Sequence, residues 1–282
     1  MRCTPEGVTV VRTVQSAAAS PKLRQYVRAF AQRNVTGLFE EQAMPAYLET
    51  VIHFDFGAFP IVRSGGGAWE TMRSRSVVGP HTFAGTSLRY SGTIDSFAIF
   101  LQPTALESLF GIPVSLVMES HYDADALLGA PIADLADALA ETLDFRHRVR
   151  LAEAFLACHR DREPEETIIT VATNLLSSRR QNRFSIPDVA SRLHLSVRQF
   201  ERSFAREIGI TPKRFARVAR FQAALDARVR MPERSWLDIA TDTGYFDQMH
   251  LIHEFRSLGG MPPTRTLERL GDSRPSALAA SG

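Results

Sequence analysis

The chain has 282 residues, of which 44% are hydrophobic and 23% charged, a composition typical of an ordinary globular protein of one or two domains. No run approaches the roughly 18 apolar residues of a membrane span, and the N-terminus lacks a basic segment followed by an apolar core, so we expect a cytoplasmic protein without membrane association. The two cysteines, Cys3 and Cys158, are too few for a disulfide framework or a zinc site, and we predict neither a metal nor a cofactor.

The net charge of +2 conceals a difference between the two parts of the chain. Residues 1–164 hold 15 Lys and Arg against 18 Asp and Glu, a net charge of −3, whereas residues 165–270 hold 17 against 12, a net charge of +5. A local excess of cations suits a partner that is a polyphosphate, because binding displaces its counterions.

The N-terminal half predicts a short helix followed by an antiparallel sheet. Residues 21–33 read as the helix, with Leu23, Val27 and Phe30 inward, and residues 51–56 alternate apolar and polar side chains at the period of a half-buried strand. Further strand-like runs, divided by glycine-rich turns, lie at residues 8–14, 59–62, 75–78, 88–90 and 94–101. Short strands with such turns favour a small antiparallel β-barrel or sandwich.

Helices are predicted to follow the sheet. Residues 103–110 form a helix closed by Gly111, and residues 131–143 form another that is joined at Asp144 to a third. The last two are amphipathic and make a helical hairpin. Its apolar stripe could cover the sheet or form a dimer contact, since the stripe alone does not identify what it packs against.

Aromatic side chains crowd the N-terminal half, and a pocket lined by them with a few polar groups would suit an apolar or aromatic ligand. For any single aromatic residue the protein core is the commoner place, and most histidines are satisfied core or surface residues. We find no arrangement of nucleophile, base and orienting group, so no catalytic residue is predicted. The candidate pocket residues are His53, Phe54, Phe56, His81, Tyr90 and Phe97.

The charged, proline-containing run at residues 160–166 marks a boundary between domains. We predict an N-terminal domain at residues 1–160, a linker at 161–166, a C-terminal domain at 167–270 and a disordered tail at 271–282.

Two helix starts lie close together in the second domain. Ser185 with Asp188, and Ser196 with Gln199, have the spacing of capping boxes. Little chain separates the two predicted helices, so they must cross at a tight turn, and Gly209 ends the second. The pattern predicts a helix-turn-helix.

The helix-turn-helix pattern occurs twice, at about residues 185–209 and 235–260. An extra residue falls in the turn of the second copy, where Asp247 is the predicted cap, and one long helix beginning at Pro212 joins the copies. The copies match at an offset of 50 or 51 residues in Ser185 with Ser235, Asp188 with Asp238, Phe200 with Leu251, Phe204 with Phe255, and Gly209 with Gly260.

The outer face of each second helix is the predicted reader of DNA bases. Arginine can bond guanine O6 and N7, and glutamate can accept from cytosine N4. A charged helix face is more often merely solvated, but its place in a repeated motif favours the reading role. The candidates are Arg198, Glu201 and Arg202 in the first unit and Gln248, Met249 and His253 in the second; phosphate contacts are predicted from Ser196, Thr211, Lys213 and Arg256.

Residues 165–270 resemble the tandem helix-turn-helix domain of the AraC/XylS transcriptional regulators in the stretches DVASRLHLSVRQFERSFAREIGITPKRFARVARFQAAL and LDIATDTGYFDQMHLIHEFRSLGGMPP. The family's base-reading positions fall on the six candidates just given, and Gly259 stands where an aromatic residue is usual. The N-terminal half is similar, more weakly, to the family's effector and dimerisation domains, in VVGPHTFAG and LQPTALESLFGIP. The resemblance implies an α+β protein that pairs a small β-barrel and helical hairpin with an all-α tandem helix-turn-helix domain.

Three functions remain open from the sequence. The leading one is a homodimeric, DNA-binding transcription regulator that senses a small molecule and contacts RNA polymerase. The second is a regulator with a pocketless β domain, controlled by a protein partner or by its own abundance. The third, an enzyme fused to a DNA-binding module, would need a convergent polar site around His53, Asp55 or His81, and we predict that the chain is not an enzyme.

Overall fold

The structure is a computed structural model that describes residues 11–159, 167–177, 184–270 and 278. The predicted linker lies outside the described residues. So does the predicted disordered tail, apart from Leu278, which is buried.

The described N-terminal residues form one eight-stranded antiparallel sheet. The strands are β1 (Val11–Ala17), β2 (Val27–Met44), β3 (Thr50–Asp55), β4 (Ile61–Ser64), β5 (Glu70–Thr71), β6 (Arg75–Val78), β7 (Thr86–Leu101) and β8 (His121–Asp123). The main path of the sheet has the order β1-β2-β7-β3-β6-β8, and β4 pairs with both β7 and β5.

The predicted helix at residues 21–33 is wrong, because β2 begins at Val27 and pairs with β7 along its length. Leu23, Val27 and Phe30 are buried as predicted, but their spacing fits a turn followed by a strand as well as it fits a helix. The two predicted strands at 88–90 and 94–101 are one strand that passes through Gly92 at a φ of 93°. Pairing with a distant strand therefore decided what the local pattern left ambiguous.

The sheet is open and is not a closed barrel, since the path ends at β1 and β8, which do not pair with each other in the described part of the chain. Helices cover one of its faces. They are α1 (Ala105–Phe110), α2 (Ala124–Leu128), α3 (Pro131–Ala140) and α4 (Phe145–Cys158), with a 3-10 turn at Val114–Leu116. The predicted cap at Asp144 and the left-handed stop at Gly111 are confirmed.

The hairpin of α3 and α4 packs its apolar stripe on the sheet, where Ile132, Leu139 and Leu156 share a core with Phe30 and Phe97. Of the two alternatives for this stripe, the structure shows the covering role. The fully buried Arg148 fastens α4 to the sheet, because its guanidinium bonds both carboxylate oxygens of Asp95, at 2.8 and 3.2 Å.

The described C-terminal residues are helical and contain the two predicted helix-turn-helix units. The first is α6 with α7 and the second is α9 with α10, and the long helix α8 runs between them. The helices are α5 (Ile168–Ser177), α6 (Ile186–Arg192), α7 (Val197–Ile208), α8 (Pro212–Arg230), α9 (Trp236–Asp242), α10 (Gln248–Gly259) and α11 (Pro263–Leu270). None of the helices that the structure describes is long and apolar enough to cross a membrane.

The two domains share a core at the segment between β2 and β3. Ala46 and Leu48 are buried among the helices of the C-terminal domain. The Ala46 amide donates to the carbonyl of Leu258 in α10 at 2.7 Å, and the Leu48 amide donates to Oε1 of Gln222 in α8 at 3.2 Å. The sheet and the helices of the C-terminal domain are therefore packed directly against each other.

Candidate nucleic-acid interface and ligand cavity

The first helix-turn-helix is built by the capping residues that the sequence predicted. The Ser185 hydroxyl donates to Asp188 at 2.7 Å, and the Ser196 hydroxyl donates to Gln199 at 2.7 Å, so both capping boxes are formed. The hydrogen bonds from Ser185 lower the pKa of Asp188. Gly209 closes α7 at a φ of 86°, in the left-handed region that glycine reaches without strain.

The predicted base-reading side chains of α7 lie on its exposed face. Phe200 and Phe204 are fully buried on the opposite side and contact each other edge to face at 5.6 Å, which fixes the orientation of the helix. Arg198, Glu201 and Arg202 are exposed, and none of them forms an ion pair with another residue that the structure describes. Their charged groups are therefore available to a partner.

The second unit presents a less charged surface. Ser235 caps α9, and Asp247 caps α10 by accepting from the His250 amide at 2.7 Å. Gln248, Met249 and His253 are exposed on α10.

Phe246, just before α10, has 92% of its surface exposed, and sequence reasoning missed it. The sequence did contain a signal. Phe246 lies in a tight turn between the buried Tyr245 and the capping Asp247, a position from which its side chain does not reach the core. Phe246 lies next to the predicted base-reading residues and is a further candidate for contact with DNA.

Helix α8 holds the second recognition helix in place. The Arg217 Nε lies 2.9 Å from each carboxylate oxygen of Glu254 in α10, and its Nη2 donates to the Ser257 hydroxyl at 2.8 Å. A Cβ at Gly259 would lie 3.0 Å from the Thr266 hydroxyl and 3.3 Å from the ring of Phe221, so these side chains already pack closely against the glycine.

The four predicted phosphate contacts are placed at exposed positions. Ser196 caps the N-terminus of α7, and Thr211 caps that of α8 by accepting from the Arg214 amide at 3.3 Å. Lys213 lies in the first turn of α8 and Arg256 in the last turn of α10. Helix N-termini carry partial positive charge, which favours phosphate near the first three of these residues.

The sheet face away from α1–α4 encloses a cavity of about 190 Å³. Of the predicted pocket residues, His53, His81 and Tyr90 lie on its wall. Phe54 and Phe97 are instead fully buried in the core beneath the helices, and the ring of Phe56 lies 4.5 Å from the Arg148 guanidinium. Alternation along β3 and β7 explains this division, because successive side chains point to opposite faces. The rest of the wall is largely apolar and includes Met44, Val51, Val62, Leu88, Ala98 and Phe100.

Charged and polar groups occupy a few places on the cavity wall. Burial lowers the pKa of His53, and Arg33 lowers it too, but the Asp55 carboxylate 3.1 Å from its Nδ1 outweighs both and leaves the pKa raised. The Arg33 guanidinium stands 4.9 Å from the centre of the Tyr90 ring.

His81 occupies another part of the wall. Its Nδ1 bonds the carbonyl of Gly79 at 2.9 Å, and its ring stacks on Tyr47 at 5.3 Å. Burial lowers its pKa, so the ring is neutral at physiological pH. The pKa values of the two histidines are therefore shifted in opposite directions, upward for His53 and downward for His81.

A buried polar cluster joins the cavity to the C-terminal helical domain, and no pattern in the sequence indicated it. Glu49, on the cavity wall, accepts from Nε2 of Gln222 in α8 at 2.7 and 3.0 Å and also pairs with Arg28. Arg28 donates to Asp226 of α8 at 2.6 Å. Burial lowers the pKa of Arg28, but the two carboxylates raise it further than burial lowers it, so the guanidinium stays charged.

Comparison with known proteins agrees with this arrangement. Residues 189–269 match a family model described as a helix-turn-helix domain, and none of the curated proteins matches the chain. The fold is similar to ToxT from Vibrio cholerae, an AraC-family regulator, at 10% identity over 94% of this chain and 100% of that one, with a TM-score of 0.51.

Two further ToxT structures are similar at 10% identity. The apo form of a variant has a TM-score of 0.54 over 94% of this chain and 98% of that one, and the unsaturated fatty acid-bound wild type has a TM-score of 0.50 over 95% and 98%. Residues 189–269 are therefore an AraC-type helix-turn-helix DNA-binding domain, and the chain as a whole has a fold similar to that of ToxT.

Proposed function

We propose that this chain is a cytoplasmic transcription regulator that binds a specific DNA sequence under the control of a small apolar molecule held in the N-terminal cavity. The observation that carries the proposal is the position of Glu49. It lies on the cavity wall and is bonded to Gln222 of α8, the helix that joins the two DNA-reading units. A ligand that moves Glu49 acts directly on the DNA-binding domain.

The proposed division of labour within the DNA interface follows from charge. Arg198, Glu201 and Arg202 supply most of the base discrimination, because ionic and bidentate contacts distinguish base edges best. Gln248 contributes a hydrogen bond, Met249 an apolar contact with thymine methyls, and His253 a further contact to a base edge. Ser196, Thr211, Lys213 and Arg256 fix the protein on the phosphate backbone.

The ligand class follows from the cavity wall. Its surface is mainly apolar. Arg33 and His53 are the cationic groups on the wall, and they favour a ligand with a negatively charged end. One of the similar structures is ToxT bound to an unsaturated fatty acid. We therefore propose an apolar carboxylate of this kind, which the cavity wall would bury along its chain. The alternative of a pocketless domain controlled by a protein partner is disfavoured by the cavity itself.

The regulator is proposed to act as a homodimer that contacts RNA polymerase and catalyses no reaction. The helix-turn-helix units and the junction with the cavity need no catalytic step, because ligand binding alone can shift the population of DNA-binding states.

Selection of binding sites from random DNA tests the function. The wild type should enrich one motif, and Arg202→Ala should lose preference at one or two base pairs of it, each worth about 1–3 kcal/mol. Arg265→Ala, at an exposed arginine of α11, is the matched control and should leave the motif unchanged. An unchanged sequence preference in Arg202→Ala would contradict the proposal that the first helix-turn-helix unit supplies most of the base discrimination.

Thermal unfolding with and without an unsaturated fatty acid tests the sensor. A ligand that binds the folded state must raise the unfolding temperature as its concentration rises. A rise that is abolished by Arg33→Ala is the expected result. No rise with any apolar carboxylate would count against the ligand class and would leave the DNA-binding function standing.

A further inference from the structure

Leu278, in the C-terminal tail, is part of the wall of the cavity that the ligand is proposed to enter. Its side chain is 3% exposed and packs against Ala29 and Phe100, which are paired neighbours on β2 and β7. Leu278 and Phe100 both line the cavity, as does Leu270 at the end of α11. An apolar residue of the chain itself therefore lies where an apolar ligand would make its contacts.

The Arg28 side chain forms a hydrogen bond with the backbone of Leu278. The register of β2 against β7 shifts between Val27 and Ala29, so Arg28 lies at a β-bulge, a device that re-aims a side chain. Its Nη2 donates to the Leu278 carbonyl at 3.0 Å and to Asp226 at 2.6 Å, and its Nη1 pairs with Glu49. One guanidinium thus bonds the tail, the cavity wall and α8 of the DNA-binding domain.

We propose that Leu278 is a built-in occupant of the cavity and that the apolar ligand displaces it. This inference rests on the proposed function, because it identifies what the ligand competes with. When Leu278 leaves, Arg28 loses a hydrogen-bond acceptor and redistributes its donors between Glu49 and Asp226. Displacement of Leu278 thereby changes the contacts of Arg28 with α8, the helix between the two helix-turn-helix units.

The test compares the full-length wild type with Leu278→Asn, which keeps the size of the side chain and removes its apolar character. The probe is cis-parinaric acid, an unsaturated fatty acid whose fluorescence rises in apolar surroundings. An occupant that must leave reduces the apparent affinity in proportion to the fraction of molecules whose cavity is free. With about one molecule in ten free in the wild type, Leu278→Asn should bind the probe about tenfold more tightly. Leu143→Asn, at an exposed leucine of the hairpin loop, is the control and should bind like the wild type.

Equal affinities of the wild type and Leu278→Asn would overturn the inference and leave the ligand cavity intact. If the probe binds to no variant, that result counts against the proposed ligand class alone. A second measurement then still tests the position of Leu278. In methyl-labelled full-length protein without ligand, the Leu278 methyl groups should show nuclear Overhauser effects to the Phe100 ring. Their absence would show that the leucine is not in the cavity, and their loss on addition of a binding probe would establish displacement.

Discussion

Replacement of Asp226 by alanine should loosen the junction between the two domains. The Asp226 carboxylate lies 2.6 Å from Arg28, and their side chains are 2% and 14% exposed. Removing one member of a buried ion pair costs roughly 3–5 kcal/mol, because the other charge is left without compensation. Arg28 keeps Glu49 and the Leu278 carbonyl as acceptors, so we expect a loss of about 3 kcal/mol, at the lower end of that range.

The assay uses the two tryptophans of the chain as separate reporters. Trp69 lies beside the sheet strands β4 and β5, where the guanidinium groups of Arg63 and Arg89 stack on it, and Trp236 begins α9 in the DNA-binding domain. Urea unfolding is followed by fluorescence in two backgrounds, each of which retains one tryptophan. In the parent protein both reporters should give one midpoint, whereas with Asp226→Ala the two midpoints should separate.

The matched control is Asp242→Ala, which removes an ion pair of the same length at an exposed site. Asp242 lies 2.6 Å from Arg234, with side chains 58% and 27% exposed. Exposed pairs contribute about 0–1 kcal/mol, because water and salt screen them. If Asp226→Ala costs no more than Asp242→Ala, or if the two midpoints stay together, the buried cluster does not hold the domains and the reasoning is refuted.

Three further results are expected. Gly209→Ala should lower the free energy of unfolding by more than the roughly 1 kcal/mol expected for a φ of 86° alone, since its Cβ would lie 2.7 Å from the Met118 side chain; urea unfolding measures it. Because the pKa of His53 is raised in the folded state, its contribution to stability is complete below about pH 6.5 and is lost as the pH rises through the raised pKa. His53→Gln should therefore flatten the fall in unfolding temperature as the pH rises above about 6.5. Ser196→Ala should cost about 1 kcal/mol in the same urea assay, because the capping box of α7 is lost.

Each of these results has its own contrary outcome. Gly66→Ala, at a φ of 76° with open space around the new Cβ, is the control for Gly209→Ala, and equal costs would show that the contact with the N-terminal domain carries no energy. Parallel pH profiles for His53→Gln and the wild type would contradict the raised pKa. A Ser196→Ala variant as stable as the wild type would mean that Gln199 or solvent satisfies the amides at the helix start.

The sequence by itself determined the DNA-binding domain almost completely. Serines three residues before their capping partners, glycines that end helices and a repeat at 50 or 51 residues are all local signals, and every one of them appears in the structure at its predicted place. Exposure of Arg198, Glu201 and Arg202 followed from the same helical period that buries Phe200 and Phe204. Local backbone chemistry is sufficient for the two helix-turn-helix units, because each of their four helices is capped by a side chain at its own start.

Only the tertiary structure decided the cavity and its connection to DNA. The alternation of β3 separated His53 from Phe54 but did not show which face the helices would cover. Residues 27–33 became a strand because β1 and β7 pair with them. Arg28 and Asp226 are 198 positions apart, and Glu49 and Gln222 are 173 apart. No periodicity brings such residues together, since their contacts form only when the complete sheet and the complete helical domain pack against each other.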